Sequence, residues 1–232
     1  MKRGSEKPGA MMASPRGARE EILGRVRAAL KQPAPRRESA AAGPLFPPVS
    51  AALERFQAEC AGNFMETVLT SGAAGSAAAL ERVIASLPAG EIFVQDAPEL
   101  RRLFEHPALR DGGTAGVTVR WSSAGAPAES SQATVSLCEA LVAMTGSVLV
   151  SSGGCGGRGA SIVAPCHIVV AHARQLVPDL EAALARARQI AFDNSYVGLI
   201  TGCSRTADIE KRLIIGAHGP RRLVVIIEQA TT

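Results

Sequence analysis

Beyond residue 90 the chain carries six short apolar runs rich in β-branched residues: EIFVQ (91–95), VTVRW (117–121), SVLVSS (147–152), HIVVAH (167–172), GLIT (198–201) and RLVVIIE (222–228). Several lack the polar–apolar alternation of a half-wet strand, which is the pattern of strands covered on both faces. Helical patterns lie between them. The clearest spans 178–191, where Pro178 and Asp179 open a run that sets Leu180, Ala183, Leu184 and Ala187 on one face. Strands alternating with helices restrict the chain to an α/β fold with a largely parallel sheet. Two further helices are expected near 50–61 and 76–87; the second carries Leu80, Val83, Ile84 and Leu87, with Ser76 as its cap.

The N-terminal part reads differently. RGAREEILGRVRAALK (16–31) places Ile22, Val26 and Leu30 at helical spacing, and QPAPRRESAAAGPLFPP (32–48) has five prolines and no periodicity. Residues 1–40 hold ten Lys or Arg against four acids, net +6; the other 192 residues hold 15 basic and 17 acidic side chains, net −2. The domains expected are therefore a basic helix with a Pro-rich, partly disordered arm over 1–49, and a main domain over 50–232. Met11 and Met12 are alternative starts. An odd count of five cysteines with no CxxC pair and no signal peptide fits reduced thiols in the cytoplasm. No apolar run reaches the ~18 residues that a membrane span needs. Aromatics at 3% argue against a base-stacking platform, so no nucleic-acid partner is expected.

The densest chemistry lies in ITGCSRTADIEKRLIIGAHGP (200–220). A strand is expected to end at Thr201–Gly202 and a helix to run from Thr206 to Ile215. Gly202, Ser204, Arg205 and Thr206 would then form a strand-to-helix turn at the carboxyl edge of the sheet. Amides at a helix start, two hydroxyls and a guanidinium make a receptor for phosphate or carboxylate. The same residues also describe a capped turn with a surface arginine. His218, between Gly216 and Gly219, offers an imidazole that titrates near neutrality or a ring bonded to its own turn.

These residues carry a resemblance. ITGCSRTADIE…IIGAHGPRRLVVII is similar to the C-terminal pattern of the LUD-domain family, lactate utilization protein C group: I-[ST]-G-P-S-x-[ST]-A-D-I-E, then V-x-G-V-H-G-P and an apolar strand. ALVAMTGSVLVSS (140–152) resembles the family's I-A-E-[ST]-G-[ST] segment, and IVAPCHIVVAHARQLVPDLEAAL (162–184) its L-P-x-x-H-I-x-V-V stretch and following helix. The resemblance implies a Rossmann-like sheet with helices on both faces, similar to the sugar-phosphate isomerase and coenzyme A transferase-like superfamily. It implies a part in bacterial oxidation of L-lactate to pyruvate beside partner proteins with iron–sulfur clusters. The positions it marks are Thr145, Gly146, Gly202, Ser204, Arg205, Thr206 and Gly219 around a small anionic or phosphate-bearing ligand, with Asp208 and His218 as candidate catalytic groups.

Two departures stand out. Met144 replaces the Glu that relatives carry before the [ST]-G pair, and a thioether is neither a carboxylate nucleophile nor a proton acceptor. Glu139, five residues earlier, reads either as a substitute or as a charge on a helix surface. Cys203 replaces the family's proline and would sit beside a helix start. SSGGCGGRGAS (151–161) reads as a flexible connection in which Arg158 can clamp an anion. Cys155 and Cys166 with His167 or His172 do not have metal-site spacing, and the odd separation of the two histidines puts them on opposite faces of a strand. No metal site, and no iron–sulfur or zinc ligand set, is expected.

Overall fold

The computed structural model describes residues 15–31, 43–110, 116–125, 130–203, 205–206, 214–215 and 219–230. The chain divides into two units, Met1–Pro44 and Leu45–Thr232. The first holds helix α1 (Pro15–Leu30), where the 16–31 pattern places it.

In the second unit, helix α2 (Ala52–Gly62) leads into β1 (Glu66–Ser71), helix α3 (Gly72–Ala85) and β2 (Gly90–Val94). Helices α4 (Pro98–Phe104) and α5 (Pro107–Arg110) follow, then β3 (Val117–Trp121) and β4 (Ala133–Leu137). Next come β5 (Ala140–Val142), β6 (Ser147–Ser151), β7 (Cys166–His172), β8 (Leu176–Val177) and helix α6 (Leu180–Ile190). Short strands β9 (Val197–Ile200), β10 (Arg205–Thr206) and β11 (Ile214–Ile215) precede the long β12 (Arg222–Gln229).

Six strands form one sheet in the order β1-β12-β7-β4-β2-β3, every neighbouring pair parallel. Its strands are apolar throughout because alternate residues enter two cores. Val224 and Ile226 join Ile168, Val170, Ile92 and Val94 against Leu80, Ile84 and Leu100 of α3 and α4. Leu223, Val225 and Ile227 join Val169 and Phe93 against Phe56 and Cys60 of α2, and against Leu141, Val148 and Val150 of a second sheet. That sheet has the order β8-β5-β6-β9, with β5–β6 and β6–β9 antiparallel. SVLVSS and GLIT therefore belong to a layer packed on the parallel sheet, where it takes part of the place of a helix.

Local signals hold in part. Asp179 caps α6, its Oδ1 accepting from the Ala182 N–H at 2.9 Å. Helix α3 starts at Gly72, so Ser76 is no cap. It lies fully buried inside the helix, its hydroxyl 2.9 Å from Thr70 Oγ1 and donating to Glu228 Oε2 at 3.2 Å.

Candidate functional site

At the amino end of the parallel sheet several of the marked residues meet. The turn between β5 and β6 contains Met144, Thr145 and Gly146. Asn63 Nδ2, just ahead of β1, donates to the Thr145 carbonyl at 3.1 Å, and the Cys60 thiol points at the Gly146 carbonyl (3.6 Å). Gly146 has φ +62°, and a Cβ there would lie 2.7 Å from the Cys60 backbone nitrogen, so glycine is required by space as well as by conformation. A chain of hydroxyls then runs from Thr145 Oγ1 to Ser147 Oγ (2.7 Å) and on to Thr201 Oγ1 (2.7 Å), reaching Gly202. Cys203 donates its thiol to the Phe64 carbonyl at 3.4 Å. Gly219 and Pro220 lie at the same end, ahead of Arg221, whose N–H donates to the Pro165 carbonyl at 2.8 Å.

Thr201–Gly202 is thus not at the carboxyl edge of the parallel sheet, as the sequence suggested. Strand β9 runs antiparallel to β6 in the second sheet, which carries its end to the amino side. Nor does a helix span Thr206 to Ile215. Arg205–Thr206 pairs antiparallel with Ile214–Ile215, so the helix start expected beside Cys203 is absent at Thr206. Ser204, Asp208 and His218 lie outside the described residues. Arg158 is apart from Thr145 and Gly202: its Nη2 donates to the Ser195 carbonyl at 2.9 Å and its Nε to Ser195 Oγ at 3.3 Å.

The glycine-rich loop is no loose connection. Cys155, Ala160 and Ser161 are buried in it, and Asn194 Oδ1 accepts from the Gly153 N–H at 2.7 Å. The Cys155 thiol faces Ser136 Oγ (3.7 Å), which is 2.8 Å from His167 Nε2. Burial lowers the His167 imidazole to about 4 and raises the Cys155 thiol to about 11. Both are thus neutral at physiological pH. His172 ends the same strand at the other face, apart from His167.

At the opposite end lies a crevice of about 550 Å³ on the carboxyl edge. It sits where β2 and β4 are neighbours, although the chain leaves β2 outward for β3 and β4 inward for β7. Such a reversal of direction is where open α/β sheets leave room for ligands. Gln95, directly after β2, accepts from the Leu137 N–H at 2.8 Å and donates to the Gly153 carbonyl at 3.3 Å, joining both strand ends to the glycine loop. Glu139 follows β4. It accepts from Ser151 Oγ at 2.7 Å and lies 3.7 Å from Arg186. It is therefore on no helix surface, and being at the far end of β5 it does not stand in for a carboxylate at Met144. His172 Nδ1 is 3.9 Å from Glu228 Oε1 on the neighbouring strand β12. Gln175 accepts from the His172 N–H (2.7 Å) and donates to the Cys138 carbonyl (2.6 Å), bracing the turn that presents Arg174. A second cavity of about 240 Å³ adjoins it, sharing Glu99, Leu137 and His172.

This edge was missed in the sequence, apart from Glu139. Polar residues directly after apolar runs, Gln95 and His172, were its signal; Arg174 and Arg186 gave none.

Met144 opens onto a cavity of about 270 Å³ with Pro47, Pro48, Val49, Ser50 and Arg55, and among these described residues there is no carboxylate. The described residues include no helix long and apolar enough to cross a membrane.

Comparisons with known proteins follow the same outline. The family model described as "LUD domain" matches residues 53–227. A protein named lactate utilization protein C from Geobacillus kaustophilus is 28% identical over 162 residues, 65% of this chain and 68% of its own length. A namesake from Bacillus licheniformis is 31% identical over 104 residues, so the match spans only 43% of each chain. The crystal structure of a DUF162 family protein from Deinococcus radiodurans superposes with a TM-score of 0.60 at 20% identity, covering 78% of this chain and 99% of that one, a likeness of fold. With three quarters of its length matched by the family model, this chain belongs to the LUD-domain family.

Proposed function

We propose that this chain is a component of bacterial L-lactate utilisation, the oxidation of lactate to pyruvate, and that it acts in the cytoplasm beside partner proteins bearing iron–sulfur clusters. The observation that carries the reading is the family match over 53–227, with relatives whose name states the process. In this reading the domain over 50–232 does the work and the basic helix and arm over 1–49 precede it. A small anionic or phosphate-bearing ligand is held by Ser204, Arg205 and Thr206, with Thr145, Gly146, Gly202 and Gly219 giving close access. Asp208 orients Arg205, and His218 donates a hydrogen bond or moves a proton. The hydroxyl chain from Thr145 to Thr201 supports this assignment, because it brings polar groups to the entrance of that segment.

A second reading, a non-catalytic subunit that docks an iron–sulfur partner, is favoured by Met144 and by the lack of a carboxylate among the described residues of the cavity beside it. The same observation counts against a stand-alone coenzyme A transferase, which needs a carboxylate nucleophile; an isomerase acting alone would reveal itself by turnover without partners. The test is complementation. In a bacterium that lacks its own family member, this chain expressed with the iron–sulfur proteins restores growth on L-lactate, and Arg205→Ala with His218→Ala abolishes it. Full growth with that double variant moves the assignment to the docking subunit. No growth with the unaltered chain overturns the lactate reading.

A further inference from the structure

We infer that the carboxyl-edge crevice is a second ligand site, one that takes a small metabolite bearing an oxyanion, phosphate or carboxylate, together with hydroxyl groups. It does not depend on the assignment at 202–219, which lies at the other end of the sheet.

Three observations carry this. The first is place and size. At about 550 Å³ the crevice falls within the range of metabolite sites and lies where the sheet reverses its winding. The second is two cationic groups that are held weakly or not at all. Arg174 is exposed and has no hydrogen bond or ion pair among the described residues. Arg186 reaches Glu139 at 3.7 Å, beyond hydrogen-bond distance, and its Nη1 donates only a long 3.4 Å bond to Gln189 Oε1, with 48% of its side chain exposed. A loose, wet ion pair of this kind contributes little, so an entering oxyanion draws Arg186 away from Glu139 at little cost. Two guanidiniums on separate elements, the turn after β7 and helix α6, can then grip one oxyanion from two sides.

The third observation is the acceptor side. Glu139 is fixed by Ser151, and Glu99 lines the same wall. Carboxylates on that wall repel a bare anion but accept from hydroxyls, which selects a ligand carrying both groups. His172 stands between the crevice and the adjoining cavity. Behind it lies a chain of polar groups, from Glu228 to Ser76 to Thr70, the last two buried. That chain fixes Glu228, whose Oε1 lies 3.9 Å from Nδ1 of the imidazole.

The test is calorimetric titration of the full chain with 3-phosphoglycerate, which carries all three groups, and with glycerate and inorganic phosphate as single-oxyanion arms. The unaltered protein binds 3-phosphoglycerate. Arg174→Ala with Arg186→Ala weakens it by about tenfold or more, as expected for lost charged hydrogen bonds, while Arg82→Ala, at an exposed position of α3 that does not line the crevice, leaves it unchanged. Binding of glycerate but not phosphate identifies the oxyanion as the carboxylate, and the converse as the phosphate; either supports the site. Both arginines are exposed, so thermal unfolding of the double variant matches the unaltered chain. No binding of any of the three probes, or affinity indifferent to the double variant, overturns the inference.

Discussion

At the amino end of the parallel sheet the polar groups are bound to one another: Thr145 to Ser147 and Thr201, Asn63 to the 145 carbonyl, Arg222 to Glu66 and Ser86. At the carboxyl end they line open space. Gln95 and Gln175 are tied to backbone, and by tying it they hold Glu139, Arg174 and His172 around a crevice. Dense short-range pairing needs small residues and special backbone at fixed sequence positions, which is why the family-like motifs gather at the first end. A crevice needs only that some strand ends be polar, so its residues are scattered over the chain.

The contrast can be broken most forcefully at Gly146. Gly146→Ala sets a Cβ against the backbone of Cys60 and Glu59 at a positive φ, and urea unfolding should show a loss of about 3 kcal/mol or more. A near-neutral result would mean that the amino end is loosely built.

Between the two ends, His167 gives a pH signature. Its imidazole is held at about 4, below the ordinary 6.5, by burial. Above 6.5 neither state binds the proton; as pH falls from 6.5 to 4 the unfolded chain takes one up and the folded chain does not. Stability should drop by about 3 kcal/mol across that window, and His167→Gln should flatten the slope. An unchanged slope assigns the loss to other groups.

Gln95→Ala should cost about 1–2 kcal/mol by leaving the Leu137 N–H unpaired, with faster hydrogen exchange confined to the glycine loop. Exchange that rises at the amino end as well would show that the two ends are not independent.

The smallest effect is expected at Glu66. Hydrogen bonds from Arg222 hold its carboxyl below the usual range, so the pair stabilises above the ordinary carboxylate pKa and loses that as pH falls through the folded value. Glu66→Gln should cost less than about 1 kcal/mol at pH 7, because the pair is half exposed, and that cost should shrink as pH falls through the lowered carboxyl range.

Strands buried on both faces announce themselves by unbroken apolar runs, and all six such runs fold as strands. Which sheet each joins was not legible, because SVLVSS and HIVVAH have the same local pattern and differ only in distant partners. A Gly-rich stretch reads as mobile until its Cys155 is seen facing Ser136 across the strand layer. The segment 200–220 could be read as chemistry but not as shape: its strand–helix reading fits the local residues, yet Arg205–Thr206 pairs with Ile214–Ile215. Glu139 was legible as a residue and misjudged in place, since nothing local says that β4 ends just before it.

The central claim, that the carboxyl edge is a ligand site distinct from the motif segment, is tested most directly by mapping where a ligand acts. Amide spectra of the labelled chain during titration with 3-phosphoglycerate should shift at Gln95, Glu139, Arg174 and Gln175, and the shifts at Gln95, Glu139 and Gln175 should fade in Arg174→Ala with Arg186→Ala. Shifts confined to Thr145, Gly146, Gly202 and Gly219, or unchanged in that double variant, would contradict it.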